Sequence, residues 1–203
     1  MTQSVGRNVT ASVDDSGNGL FLEFVHQGDR YGHRVGILAG GVPRETLLTS
    51  IEGEEGAADA LRVPALQELS VSALPDGRSA SALVGMSDAR HWSLTVEDDP
   101  AADRPGLILD YACRARHEPV EVGNRYAIAP EVDVAPLDSG VLLTAASRQV
   151  RLGVSAMMGW PKTEVGVSRQ ELQVVCSTSD ADAQLVTVRW RYVVECMDAG
   201  DVA

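Results

Sequence analysis

Hydrophobic and polar residues alternate with a period of two along most of the chain, and most clearly near its end. In residues 184–196, both aromatic residues fall at even positions and all three charged residues fall at odd positions. Successive side chains of a β-strand point to opposite faces of a sheet. The segment is therefore predicted to be a long strand with one buried face and one solvated face.

The same alternation predicts short strands through the rest of the chain, separated by turns rich in Gly, Pro, Asp and Ser. The pattern indicates strands at 8–13, 20–27, 30–38, 69–73, 80–84, 91–97, 107–114, 126–128, 141–146, 149–155, 172–177 and 184–196. Ten or more strands at this spacing predict an all-β fold, an antiparallel two-sheet β-sandwich or a related barrel. Little or no helix is expected, with residues 56–61 supplying at most one short turn.

The sequence of the first hairpin predicts which residues pair across its two strands. Gly28-Asp29 suits a two-residue turn, because glycine adopts a positive φ at no steric cost. A two-residue loop places Glu23 opposite Arg34, which is a favourable cross-strand charge pair. The agreement of turn and charge pairing supports this register.

A second hairpin is predicted around Pro75-Asp76-Gly77-Arg78, where proline presets φ and glycine accepts the left-handed conformation. With Asp76-Gly77 as a two-residue loop, Ala73 is predicted to lie opposite Ala80.

Length and charge narrow the classes of function. The 203 residues predict one domain, 1–203, with a mobile acidic loop near 52–60. The formal net charge is −12, from 29 acidic and 17 basic residues. Such a field repels phosphate backbones and anionic lipid, so neither nucleic acid nor membrane is an expected partner.

The three cysteines lie within apolar alternation rather than in metal-binding spacing. This pattern favours buried, reduced thiols and a cytoplasmic location. A disulfide bridge between Cys176 and Cys196 is also possible, since their segments could be neighbouring strands. No run of apolar residues reaches the roughly 18 that a membrane helix requires.

Two histidines and a tyrosine are the first candidates for a functional site. The register of the first hairpin places His26, Tyr31 and His33 together at the end of its apolar face. Side chains so placed could form a metal or acid–base site, or they could close the core where it meets solvent. His91 and His117 are predicted to face solvent. No complete metal-binding or cofactor motif occurs, and neither a metal nor a cofactor is predicted.

Arginine and tryptophan supply the other candidates. Arg189 and Arg191 fall on the polar face of the last strand, where they could bind an anionic ligand, and Arg114 could hold an anionic or polar substrate group. Trp160 lies in a Gly-Trp-Pro turn beside two methionines, a small apolar patch that could contact a ligand or a partner chain.

These observations predict a non-catalytic binding or assembly module whose partner is a second copy of the chain or a small polar ligand. The alternative is a carbohydrate-active or small-molecule isomerase-type enzyme, with a histidine-lined site on a concave sheet. In that case His26 or His33 would act as general acid or base. A metal-binding β-domain is a third alternative.

Overall fold

The protein folds into two antiparallel β-sheets. The computed structural model describes residues 8–53, 61–75, 78–99, 103–115, 121–146, 148–155, 162–177 and 186–197. The described residues form fifteen strands: β1 (Asn8–Val13), β2 (Gly19–Gln27), β3 (Arg30–Ala39), β4 (Val42–Ser50), β5 (Glu68–Ala73), β6 (Ser79–Ser87), β7 (Arg90–Asp98), β8 (Gly106–Ala115), β9 (Glu121–Ile128), β10 (Asp133–Leu137), β11 (Gly140–Thr144), β12 (Gln149–Val154), β13 (Lys162–Ser168), β14 (Glu171–Ser177) and β15 (Val186–Met197).

The two sheets pack face to face as a sandwich, which confirms the predicted fold class and excludes a closed barrel. The seven-stranded sheet has the order β1-β2-β3-β4-β9-β14-β13, and the eight-stranded sheet has the order β10-β11-β12-β15-β8-β7-β6-β5. No helix occurs in the described ranges. Residues 54–60, which include most of the predicted acidic loop and helical turn, lie outside those ranges.

The predicted register of the first hairpin is confirmed. Glu23 pairs with Arg34 across β2 and β3, and their side chains form an ion pair with an N–O distance of 3.9 Å. Gly28 has a φ of 65°, the left-handed conformation that the two-residue turn requires.

The predicted register of the second hairpin is wrong by one residue. Ala73 pairs with Ser79 rather than with Ala80. The backbone N–H of Leu74 donates to the carbonyl of Arg78 over 2.8 Å, so the loop between the paired residues has three residues instead of two. Because side chains alternate along a strand, this shift places Leu69 opposite the buried Leu83.

The core lies between the sheets and contains the residues that the alternation of the last strand placed inside, whereas Val71 and Val84 of the second hairpin, which were expected on a packed face, are 56% and 49% exposed. Trp190 and Tyr192 of β15 and Tyr111 of β8 have no exposed surface.

The three cysteines are buried, and none of them forms a disulfide. Cys176 on β14 and Cys196 on β15 are not joined, which answers the open question of a bridge between them in the negative.

A segment without regular structure, residues 61–67, closes one end of the sandwich. On the seven-stranded sheet, the carbonyl of Arg62 accepts from the N–H of Gly123 over 3.0 Å. On the eight-stranded sheet, the N–H of Gln67 donates to the carbonyl of Val84 over 2.8 Å. Between these contacts Ala65 and Leu66 are buried. We call residues 61–67 the crossing segment.

Candidate functional site

A chain of hydrogen bonds runs through the interior at this end of the sandwich. His33 Nε2 lies 2.7 Å from the hydroxyl oxygen of Tyr126. The Tyr126 hydroxyl is hydrogen-bonded to that of Tyr192, which donates to the Tyr111 hydroxyl over 3.3 Å. The Asn124 side chain is hydrogen-bonded to Tyr111, and its Oδ1 accepts from Trp190 Nε1 over 2.8 Å. We call these six side chains the interior network.

The direction of the donors determines the histidine tautomer. A phenol carries a single proton, and that of Tyr192 is directed to Tyr111. Tyr126 must therefore donate to Tyr192, and His33 must donate to Tyr126 from Nε2. The assignment leaves Nδ1 of the neutral imidazole as an acceptor.

The interior network joins the two sheets. His33, Asn124 and Tyr126 belong to the seven-stranded sheet, whereas Tyr111, Trp190 and Tyr192 belong to the eight-stranded sheet. Burial of polar groups is costly unless each finds a partner, so hydrogen bonds across the interface specify how the sheets align.

The network ends at a small cavity beneath the crossing segment. The cavity has a volume of about 10 Å³ and is lined in part by His33, Tyr111 and Asn124. At its edge the Ser50 hydroxyl accepts from the backbone N–H of His33 and donates to Glu52 Oε1, both over 2.8 Å. A volume of this size holds about one water molecule.

Burial sets the protonation states of these groups. It lowers the pKa of the His33 imidazole to about 4, which keeps the ring neutral at pH 7. It raises the pKa of the Glu52 carboxyl, and the hydrogen bond from Ser50 and the charge of Arg30 oppose that change. The tyrosine hydroxyls of the network also have raised pKa values, chiefly because of burial.

A much larger cavity lies on the outer face of the eight-stranded sheet. It has a volume of about 530 Å³, and we call it the outer groove. Strands β6, β7, β8 and β15 supply its floor, and Gln67 together with Glu68, the first residue of β5, supplies one wall. The groove is lined by Gln67, Glu68, Val84, Gly85, Met86, His91, Trp92, Ser93, Ala112, Arg114 and Thr187.

The wall of the outer groove depends on a close approach of two backbones. A Cβ atom at Gly85 would collide with the carbonyl oxygen of Ala65, so only glycine lets the crossing segment lie against β6. Gln67 then continues along the strand, and its Oε1 accepts from the N–H of Met86 over 3.0 Å.

The floor of the outer groove is apolar and exposed. Val84 and Met86 retain 49% and 53% of their accessible surface. Arg114 is also exposed, and among the described residues no carboxylate lies within ion-pair distance of it. By contrast, Arg191 on the same face of the sheet forms an ion pair with Asp110.

The turn beside the outer groove carries backbone strain. It connects β6 to β7, and its central residues Asp88 and Ala89 have φ values of 47° and 59°. This is the positive region that glycine adopts freely and alanine disfavours. Met86 and His91, which flank the turn, both line the groove.

The structure separates the candidate residues that the sequence grouped. His26 is exposed and its ring contacts that of half-buried Tyr31, with centroids 4.8 Å apart, while His33 lies in the core. Arg114 lines the outer groove. Arg189 is exposed on the same face but pairs in register with Ala112, one row away from Arg114.

Two predicted residues, Trp160 and His117, lie outside the described residues. The sequence did not predict that Gln67 would form the wall of the outer groove, or that Val84 and Met86 would form its apolar floor. It also did not identify Asn124 of the interior network or Glu52 beside that network. The turn predicted near Asp76 did indicate a strand that includes Val84, but the predicted register paired this strand with β5 one residue out of position.

A comparison of the chain with protein families, with curated proteins and with solved structures finds no match. Within the described residues, no three His, Cys, Asp or Glu side chains are grouped so that they could hold one metal ion. That part of the chain also lacks a helix with the length and apolar character needed to cross a membrane.

Proposed function

We propose that the protein is a non-catalytic binding module that takes a small ligand with polar groups into the outer groove. The observation that carries this proposal is the groove itself. Its volume of about 530 Å³ falls in the range typical of small-molecule sites. Its floor is a set of hydrogen-bonded strands, which hold Val84, Ser93 and Ala112 in fixed positions.

The enzyme alternative has less support from the geometry. It requires histidines that converge on a cleft, and the cavity next to His33 has room for about one water molecule. His26 lies on the surface and His91 belongs to the other sheet. A sugar or similar substrate would have to displace the crossing segment to reach His33, so we propose no reaction at this place.

The proposal is tested with 1-anilinonaphthalene-8-sulfonate, a fluorescent probe that combines an apolar body with one anionic group. We expect a single saturable site. Ser93→Phe should fill the groove and weaken binding at least tenfold. Thr95→Phe is the matched control, because Thr95 is exposed on the same face of β7 but does not line the groove. Equal binding to Ser93→Phe and the wild type would refute the proposal.

Self-association is a second candidate function, favoured by the edge strand β1. This strand carries no charged residue, and its Val9 and Val13 are 49% and 48% exposed. Uncharged edge strands are prone to pair with another chain. Light scattering after size-exclusion chromatography should show a dimer that Val9→Lys dissociates. A wild-type monomer at high concentration would eliminate this candidate.

A further inference from the structure

We infer that the ligand of the outer groove is an organic carboxylate whose acid group binds at Arg114 and whose flat apolar body lies over Val84 and Ala112. The inference rests on the proposed binding function and adds the chemical class of the ligand. Its basis is the uneven distribution of hydrogen-bond donors, acceptors and charges around the groove.

Donors dominate the end of the groove where Arg114 lies. His91 and Thr187 stand directly opposite Arg114 on the two neighbouring strands. Adjacent strands are about 4.8 Å apart, so an anion on the guanidinium also lies within reach of the imidazole and the hydroxyl. The planar fork of arginine matches the two oxygens of a carboxylate, which favours this group over a neutral acceptor.

The wall of the groove adds a further donor. Gln67 Oε1 is already engaged by the backbone N–H of Met86. Because an amide has a single oxygen, the group that Gln67 can offer a ligand is its Nε2, with two hydrogens. A second acceptor on the ligand, such as a carbonyl or ether oxygen, would fit this position.

Glu68 orients the ligand. It pairs in register with Val84 on the β5 side of the groove, three strands away from Arg114 and one row of residues along the strands, at about 16 Å by strand spacing and rise. A carboxylate beside Glu68 would be repelled, whereas one beside Arg114 would be attracted. The floor between them, Val84, Ser93 and Ala112, has side chains small enough for a flat ring system to lie on the sheet.

The experiment compares three naphthalene probes of similar size that carry an anionic, a neutral and a cationic group: 2-naphthoate, 2-naphthamide and 2-naphthylmethylammonium. Isothermal titration calorimetry on the full chain should show that naphthoate binds at least tenfold more tightly than the amide, and that the ammonium ion binds most weakly. Arg114→Gln should weaken naphthoate binding at least tenfold and change amide binding less than twofold.

Arg34→Gln is the matched control, because Arg34 is an exposed arginine on the outer face of the other sheet. It should leave all three affinities unchanged. Equal affinities for the three probes would overturn the carboxylate assignment. If Ser93→Phe still weakened the binding of all three probes in that case, the groove would remain the binding site. Failure of all three probes to bind would overturn the carboxylate assignment, and it would overturn the proposed function as well if 1-anilinonaphthalene-8-sulfonate also failed to bind.

Discussion

The imidazole Nε2 of His33 lies 2.7 Å from the hydroxyl oxygen of Tyr126, with both side chains buried between the sheets. Through the hydroxyl of Tyr192, this hydrogen bond is continued into the opposite sheet. Since a neutral imidazole and a phenol each need a partner in an apolar interior, the pair is expected to affect stability more than an exposed hydrogen bond would.

Tyr126→Phe removes the central hydroxyl of this connection. His33 Nε2 and the Tyr192 hydroxyl then lose a shared partner in the core, which is expected to lower the free energy of unfolding by about 1–3 kcal/mol. Denaturant titration measures the change. Tyr31→Phe is the control, since Tyr31 lies outside the network, and its effect should stay within about 0.5 kcal/mol. Equal effects of the two substitutions would show that the network adds no stability.

The protonation of His33 predicts a loss of stability in acid. Burial lowers the folded-state pKa from 6.5 to about 4, so between these values the unfolded chain binds more protons than the folded chain. The stability that neutral His33 contributes is therefore fully present above about pH 7, and it is lost as the pH is lowered toward 4. From pH 7 to pH 5 the loss amounts to about 2 kcal/mol.

His33→Gln separates this effect from the titration of other groups. Glutamine has no proton to gain in this range, and its Nε2 can still donate to Tyr126. Free energies of unfolding at pH 7 and pH 5 should differ by about 2 kcal/mol less in the variant than in the wild type. His26→Gln, at an exposed position, should keep the wild-type dependence. Parallel pH profiles for His33→Gln and the wild type would disprove this assignment.

Relief of backbone strain predicts a stabilising substitution at Ala89. Its φ of 59° is costly for alanine and free for glycine, so Ala89→Gly should raise the free energy of unfolding by about 0.5–1 kcal/mol. Ala11→Gly is the control at an exposed position within β1, and it should lower stability by about the same amount. A loss of stability in both variants would contradict the strain argument.

How far the sequence predicts this fold depends on the turns. Gly28-Asp29 specifies a two-residue loop, and it led to the correct pairing of Glu23 with Arg34. The turn from Ser87 to Arg90 contains the turn residues Ser87 and Asp88, but Ala89 also adopts a positive φ. Because alanine is not a turn residue, a turn rule that is based on residue type does not reveal the strain at Ala89.

Three strands were missed for related reasons. In β4 the alternation is interrupted, because its register with β3 shifts twice. β10 contains Pro136, which lowers its strand signal, and β13 is an edge strand that is largely exposed. The first strand of the chain, β1, was predicted with its observed bounds, although its inward residues Thr10 and Ser12 are polar.

The candidate site was harder to predict than the fold. Arg114 was selected as a ligand-binding residue, but its surroundings depend on the crossing segment, which has no periodic pattern to reveal its path. The interior network could not be predicted from the sequence either. Alternation places Tyr111, Tyr126 and Tyr192 inside, yet it does not tell which hydroxyls meet across two sheets.

The contact between Gly85 and Ala65 predicts that one added methyl group will damage both stability and binding. In Gly85→Ala the new Cβ meets the carbonyl oxygen of Ala65, and the crossing segment must move away from β6. The hydrogen bonds of Gln67 to Val84 and Met86 are then strained or lost. We expect the free energy of unfolding to fall by about 2 kcal/mol or more.

Binding of the naphthalene probes should weaken in the same variant, because Gln67 forms the wall of the outer groove. Gly166→Ala is the matched control: a Cβ at this position on β13 would meet open space, so stability and probe affinity should stay close to the wild type. The decisive comparison is made well below the unfolding transition, where Gly85→Ala is still folded. Wild-type probe affinity there would show that the groove does not depend on the crossing segment.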